Sequence, residues 1–291
     1  MRKLQFSIFF ALVVSGLTSC TKESADPTSK FYSDNDVEIK AYQDKNGGTT
    51  TTTGLYYKIM TPNPTGKQAT VGEELEFSYK ATNLKGQLVD SSVTTTPVYY
   101  PLGIQSVFPG LEQGLSLMRE GEKATLLIPS YLAYNDQIKT NLPAYSVVRF
   151  DVALNRSRNE EQQIDEYIAK NKLTLTEKTS TGVRFIRTVT NASGATPGIG
   201  QTLTIKYLGK QLRNSSAFDS TGTGTFDALL GQNKYVKGFE EGLSKMKIGE
   251  KATVIFPSSL GYGTAGVIQS NRYVITPYAP LRFDLELVSA K

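Results

Sequence analysis

The groups that ordinarily shuttle protons or attack carbonyls are scarce in this chain of 291 residues: it has no histidine and no tryptophan, and its one cysteine is Cys20. That removes a histidine general base, a Ser-His-Asp triad, a histidine zinc site and an intramolecular disulfide. Any catalysis must work without them. What the chain does have is rings, 16 tyrosines and 13 phenylalanines. Two polar residues stand out among them: Tyr262, directly after Leu260-Gly261, and Asp219, in a loop with serines.

Such residues need a scaffold, and the run Leu230 to Gly263 supplies its pattern. Phe239, Leu243 and Met246 fall at i, i+4 and i+7, an apolar stripe opposite Glu240, Glu241 and Lys245, which predicts a short helix over 237–246. Gly249 ends that helix, and Glu250 to Phe256, rich in β-branched residues, reads as a strand stopped by Pro257. The unit recurs over Leu102 to Asn135, with the stripe Leu111, Leu115 and Met118. Glycines at 110/238, 114/242 and 121/249, Met118/Met246, Pro129/Pro257 and Tyr134/Tyr262 all lie 128 residues apart. The chain is a tandem duplication, and its length fits two domains, each large enough for its own core.

The motifs FDS at 218–220, LG at 230–231, V-x-G-F-E-E-G-L at 236–243, GEKA at 249–252, GYG at 261–263 and LRFDLEL at 281–287, in this order and spacing, resemble the FK506-binding-protein (FKBP) family of peptidyl-prolyl cis-trans isomerases. The resemblance covers about 182–288 well and 54–154 with more departures. Strands flanking a single short helix already point to an α+β domain. The resemblance implies two FKBP-like domains, each an antiparallel sheet curled around one short helix.

It also implies a reaction. The amide ahead of proline turns slowly because rotation breaks its resonance, against a barrier of roughly 18–20 kcal/mol. Water stabilises the planar, charge-separated amide more than the twisted one, so a dry pocket with a few fixed donors lowers the barrier with no bond to the protein and no cofactor. By resemblance, Phe218, Phe226 and Phe283 are side walls, Phe239 is the floor, and Val236 and Ile275 are apolar rim. Tyr262 is the hydroxyl donor to a substrate carbonyl, the Val236 N–H grips another, Tyr235 lies against the substrate, and Asp219 orients Tyr207. No proton is transferred, so Asp219 is expected to position rather than to act as a base. In the first repeat the matching positions are Tyr79, Val89, Asp90, Val98, Val107, Phe108, Leu111, Tyr134 and Phe150. Three rings have become Val89, Val98 and Leu111, so this copy is expected to be weakly active or inactive, binding chains or supporting its neighbour. The second copy departs too: Thr221-Gly222-Thr223-Gly224 replaces a basic residue often found after FDS, and Phe239 stands where many members have tryptophan. The interval from Tyr262 to Phe283 spans 21 positions against 16 in the first copy.

Around the repeats, Arg2 and Lys3, an apolar stretch from Leu4 through Val14 and Leu17-Thr18-Ser19-Cys20 resemble a bacterial lipoprotein signal, with a lipid on Cys20 that would anchor the protein to a membrane; the alternative is an ordinary secretory signal. Residues 1–19 are then the signal, 20–33 a polar tether, 34–155 the first domain, 156–175 an interdomain helix and 176–291 the second domain. A short helix is expected over 34–46, and an edge strand or loop at Thr49 to Thr53. The expected place is the cell envelope, with the outer membrane facing the periplasm favoured because Thr21 rather than aspartate follows Cys20. Partners are proline-containing polypeptides and the membrane. With Arg2 and Lys3 set aside, 30 basic residues face 27 acidic ones without a dense run, which speaks against nucleic acid. Oligomeric state is left open. Two other readings use the same residues: a non-catalytic chaperone or peptide-binding lipoprotein, and a purely structural lipoprotein.

Overall fold

The computed structural model describes residues 27–92 and 96–291. The proposed signal and Cys20 lie outside them. The first copy comprises α1 (Pro27–Asn46), β1 (Thr49–Thr50), β2 (Tyr56–Thr61), β3 (Glu74–Thr82), β4 (Leu88–Ser91), β5 (Val98–Pro101), α2 (Pro109–Ser116), β6 (Lys123–Ile128) and β7 (Val148–Arg158). After α3 (Glu160–Lys170) the second copy runs through β8 (Glu177–Lys178), β9 (Arg184–Val189), β10 (Thr202–Gln211), β11 (Asp219–Ser220), β12 (Phe226–Leu229), α4 (Lys237–Ser244), β13 (Lys251–Phe256), β14 (Val267–Gln269), β15 (Arg272–Ile275) and β16 (Leu281–Ala290).

The two sheets repeat one topology. The order is β1-β2-β6-β7-β3-β4 with β5 also on β3, and β8-β9-β13-β16-β10-β11 with β12 also on β10. Every pairing is antiparallel. A bulge falls between Glu76 and Phe77 where β3 meets β7, and again, 128 residues on, between Thr204 and Ile205 where β10 meets β16. A bulge steepens local twist. The recurrence therefore curls both sheets at the same point around their helices.

Alternation along the strands decides which face is covered. Leu281, Phe283, Leu285 and Leu287 are buried against α4, whereas Arg282, Asp284 and Glu286 point to the other face. Phe239, Leu243 and Met246 form the buried stripe of the helical turn, as their spacing predicts. The helix rides very low on the sheet: a Cβ built on Gly238 would lie 2.2 Å from the Phe256 ring, and one on Gly242 2.7 Å from Val254. Gly110 and Gly114 meet Ile128 and Leu126 in the same way, at 2.2 and 2.3 Å. A helix-interior glycine costs roughly 0.5–1 kcal/mol relative to alanine. Here it is what allows the two layers to meet.

Several boundaries differ from the sequence expectation: α4 ends at Ser244 rather than 246 and α3 at Lys170 rather than 175, and two starts shift as well. The helix expected over 34–46 starts at Pro27, inside the stretch assigned to the tether. Phe31 stacks on Tyr145 with ring centroids 4.5 Å apart, and the Tyr32 hydroxyl donates to Asn135 at 3.1 Å, so the first domain holds these turns down. Asn35, buried, accepts from the Ser130 N–H and donates to the Tyr145 carbonyl. The interdomain helix begins at Glu160 rather than Arg156, because β7 pairs with β3 as far as Arg158 opposite Glu74. Asn159 and Gln162 then form a capping box.

Helix α3 is bonded to both domains. Glu166 pairs with Arg156 and Arg158 of β7. On the other side, Arg184, fully buried, meets Glu161 at 2.6 Å and Asp165 at 2.8 Å, and Glu160 accepts from Ser258. The domains also touch directly, where Arg213 grips Glu74 through two hydrogen bonds of 2.6 and 2.7 Å.

Candidate functional site in the second domain

The concave side of the second sheet holds a hollow of about 730 Å³. Four of its rings reach it from four separate elements: Tyr207 from β10, Phe226 from β12, Phe239 from α4 and Phe283 from β16. Phe239 is the hub, its centroid 5.7 Å from Tyr207, 5.8 Å from Tyr235 and 5.0 Å from Phe283, each near edge-to-face. Phe218 packs on Phe283 at 5.7 Å, and Phe226 bridges Tyr207 and Tyr235 at 5.9 and 5.7 Å. Phe283 rests in turn on Phe256, the ring that Gly238 lets the helix approach, stacked at 5.8 Å.

Burial grades from floor to mouth. Phe239 and Phe283 are 4% and 5% exposed, whereas Phe226 and Tyr262 are both 37% exposed. The Tyr207 hydroxyl donates to Asp219 at 2.7 Å. Burial, and then the bonded Asp219 carboxylate, push the Tyr207 phenol up to about 12, so it stays protonated and holds that carboxylate in place. Burial also raises Tyr262, with the Asp219 charge adding to it. Among the donors at the hollow with no acceptor among the described residues are the Tyr262 hydroxyl and the Val236 N–H at the N-cap of α4. The arrangement offers an apolar floor, an oriented phenol–carboxylate pair and unspent donors at the mouth. It can desolvate and grip a polypeptide carbonyl without exchanging a proton.

Of the residues expected in the second copy, Tyr207, Phe218, Asp219, Phe226, Tyr235, Val236, Phe239, Tyr262 and Phe283 all line this hollow. Ile275 does not. The enlarged loop folds into a ribbon of β14 and β15 in which Ile275 pairs with Val267, and its side chain turns into the core, 2% exposed. The apolar mouth is completed instead by Leu260, which the sequence reading did not single out. It also missed Gly209. Gly209 pairs with Phe283 across β10 and β16, and a Cβ there would stand 2.7 Å from Phe283 and 2.8 Å from Phe218. A glycine breaking the alternation of Leu203, Ile205 and Tyr207 was the available signal.

The first domain keeps the framework and loses the opening. Tyr79 donates to Asp90 at 2.7 Å, as Tyr207 does to Asp219, and Tyr79 lies 5.3 Å from Phe150 where Tyr207 and Phe283 are 6.2 Å apart. Burial, with Asp90 adding, raises the Tyr79 phenol as well. Val89, Val98 and Leu111 take the places of rings, Val107 stands where Tyr235 does, and the Phe108 ring lies 4.4 Å from Tyr134. Tyr134 is only 7% exposed. Among the described residues no cluster of three or more acidic, cysteine or histidine side chains is placed to hold a metal.

The model of the family described as FKBP-type peptidyl-prolyl cis-trans isomerase matches residues 65–155 and, separately, 194–288. The chain belongs to this family. Its two FKBP domains are similar to human peptidyl-prolyl cis-trans isomerase FKBP9, 30% identical over 223 residues, which cover 75% of this chain and 35% of that protein. Bovine peptidyl-prolyl cis-trans isomerase FKBP11 is 39% identical over 97 residues, 33% of this chain and 48% of the relative. The chain thus spans about a third to a half of the length of these curated relatives. The crystal structure of FkpA from Escherichia coli is 30% identical, covering 45% of this chain and 62% of that one, with a TM-score of 0.38.

Proposed function

We propose that this protein is a prolyl isomerase that assists the folding of exported proteins in the cell envelope, with the second FKBP domain doing most of the catalysis. One observation supports that reading above others. Seven rings, four of them from separate strands and the helix, meet around one hollow whose mouth presents the Tyr262 hydroxyl and the Val236 N–H, neither with an acceptor among the described residues. A proline ring seated over Phe239 would leave water behind. Its preceding carbonyl, no longer solvated, loses the stabilisation that keeps the amide planar, and the two donors hold the twisted form. Each tenfold of rate requires about 1.4 kcal/mol of preference for that form. One neutral hydrogen bond contributes about that much.

The first domain, with its hollow filled, serves as a support or a weak binder. For residues 1–19 the reading is a lipoprotein signal cut before Cys20, the lipid on Cys20 holding the protein at the outer membrane on its periplasmic side; the support is the segment's sequence pattern.

The decisive measurement is a protease-coupled proline assay on the full chain. The wild type is expected to accelerate isomerisation, Phe218→Ala to lower kcat/KM by roughly tenfold or more, and Tyr262→Phe by about twofold to tenfold. Proline-peptide binding without acceleration would convert the protein into a non-catalytic chaperone, and neither binding nor acceleration would leave a structural lipoprotein. The anchor is tested by mass spectrometry of Cys20 and by Cys20→Ala, which should release the protein from the membrane fraction.

A further inference from the structure

The segment from Arg213 to Asp219 joins β10 to β11, and it carries Phe218 and Asp219 into the hollow at one end. At the other it leaves its own domain. The Arg213 guanidinium forms a two-pronged bond to Glu74 of the first domain, with Nε–Oε2 2.6 Å and Nη2–Oε1 2.7 Å, and its carbon sits 3.6 Å over the ring of Tyr99. Glu74 is 7% exposed and is braced from behind by Arg158 at 3.1 Å. A forked, partly desolvated pair with a ring stacked on it fixes orientation as well as distance.

The stretch between that clamp and the hollow is short and internally tied. The Asn214 N–H donates to the Gln211 carbonyl, the Ser216 N–H to the Asn214 side chain, and the Phe218 N–H to the Gly209 carbonyl at 2.9 Å. Gln211 also grips the enlarged loop on the hollow's other flank, accepting from the Thr276 N–H and hydroxyl and donating to the Val274 carbonyl. That loop meets the first domain as well, with the Tyr278 ring against the backbone of Gly72, where a Cβ would stand 3.1 Å away. The Arg213–Asp219 segment and the enlarged loop therefore both lean on a domain that contributes no lining residue.

We propose that Arg213 is a positioning residue for the second domain's hollow: by clamping Glu74 and Tyr99 it sets the placement of Phe218 and Asp219, so the first domain tunes a site it does not line. This rests on the isomerase reading for its kinetic consequence and on the clamp alone for its structural one.

The test uses the full chain with Glu74→Gln, Arg213→Ala, Arg213→Lys and the double variant Glu74→Gln/Arg213→Ala. Glu74→Gln and Arg213→Ala should each lower kcat/KM for a proline peptide by about threefold to tenfold. The double variant should lose no more than either alone, and Arg213→Lys, which keeps the charge without the fork, should fall between. In parallel, amide hydrogen exchange at Phe218 should quicken in Glu74→Gln while the β13 amides keep wild-type protection. Unchanged exchange at Phe218 overturns the proposal whatever the rates do. Quicker exchange with wild-type kcat/KM overturns the claim that the clamp matters to the hollow. An inactive wild type defeats the isomerase reading, and the exchange arm, with peptide affinity in place of rate, still decides the clamp.

Discussion

The Phe108 ring lies 4.4 Å from that of Tyr134, and this pair closes in the first domain the space that Val236 and Tyr262 leave open in the second. Backbone and phenol–carboxylate pair are duplicated on both sides, and among the side chains that differ Phe108, at the N-cap of α2, is the one that lies against Tyr134. Phe108→Val is therefore expected to expose Tyr134 to a fluorescence quencher and to destabilise the chain by about 1–3 kcal/mol in denaturant unfolding, through the cavity left behind. A variant as stable as the wild type, with Tyr134 still shielded, contradicts this account.

Twisting the amide transfers no proton, and burial with the bonded Asp219 carboxylate pushes the Tyr207 phenol up to about 12. The isomerisation rate should be flat between about pH 6 and about pH 9, unlike the bell-shaped profile of an acid–base pair. Asp219→Asn should lower the rate a few-fold and leave the profile flat. A titration within that window, removed by the substitution, would make Asp219 a proton-transfer group instead.

Gly238→Ala should destabilise, although alanine is the better helix former. Its methyl would meet the buried Phe256 ring at 2.2 Å, and overpacking a tight core costs about 1–3 kcal/mol, more than the propensity gain. Because Phe256 carries Phe283, kcat/KM should fall together with Tm. A rise in Tm would show that the layers can part at little cost.

The Arg184 guanidinium beside Glu161 holds its carboxyl down to about 2, well below its ordinary 4.5. A depressed carboxylate stabilises the fold above the unfolded value and ceases to do so as pH falls from about 4.5 toward about 2. Glu161→Gln should thus unfold more easily at neutral pH and match the wild type near pH 2. With the Glu161 side chain 46% exposed, solvent screening keeps the neutral-pH difference to about 1 kcal/mol or less. A difference in urea midpoint that persists unchanged to pH 2 refutes the pairing.

How far the sequence could be read depended on the range of the interaction concerned. The stripe of Phe239, Leu243 and Met246 and the alternation of Leu281 to Leu287 were legible, because period alone states which side is buried. Nine of the ten positions assigned to the second hollow do line it. Ile275 escaped because its facing depended on how an enlarged loop would pair, and Gly209 because a glycine's purpose appears only when two rings close over it.

By itself the chain's order determined the duplication, through spacing repeated every 128 residues, the α+β fold of each copy, through strand and helix periodicity, and the rings available to a hollow, through residue type alone. Only the tertiary structure decided which hollow is open and what steadies it. Phe108 meets Tyr134 across 26 residues of chain and Arg213 meets Glu74 across 139, and no local pattern records whether side chains so far apart will reach one another.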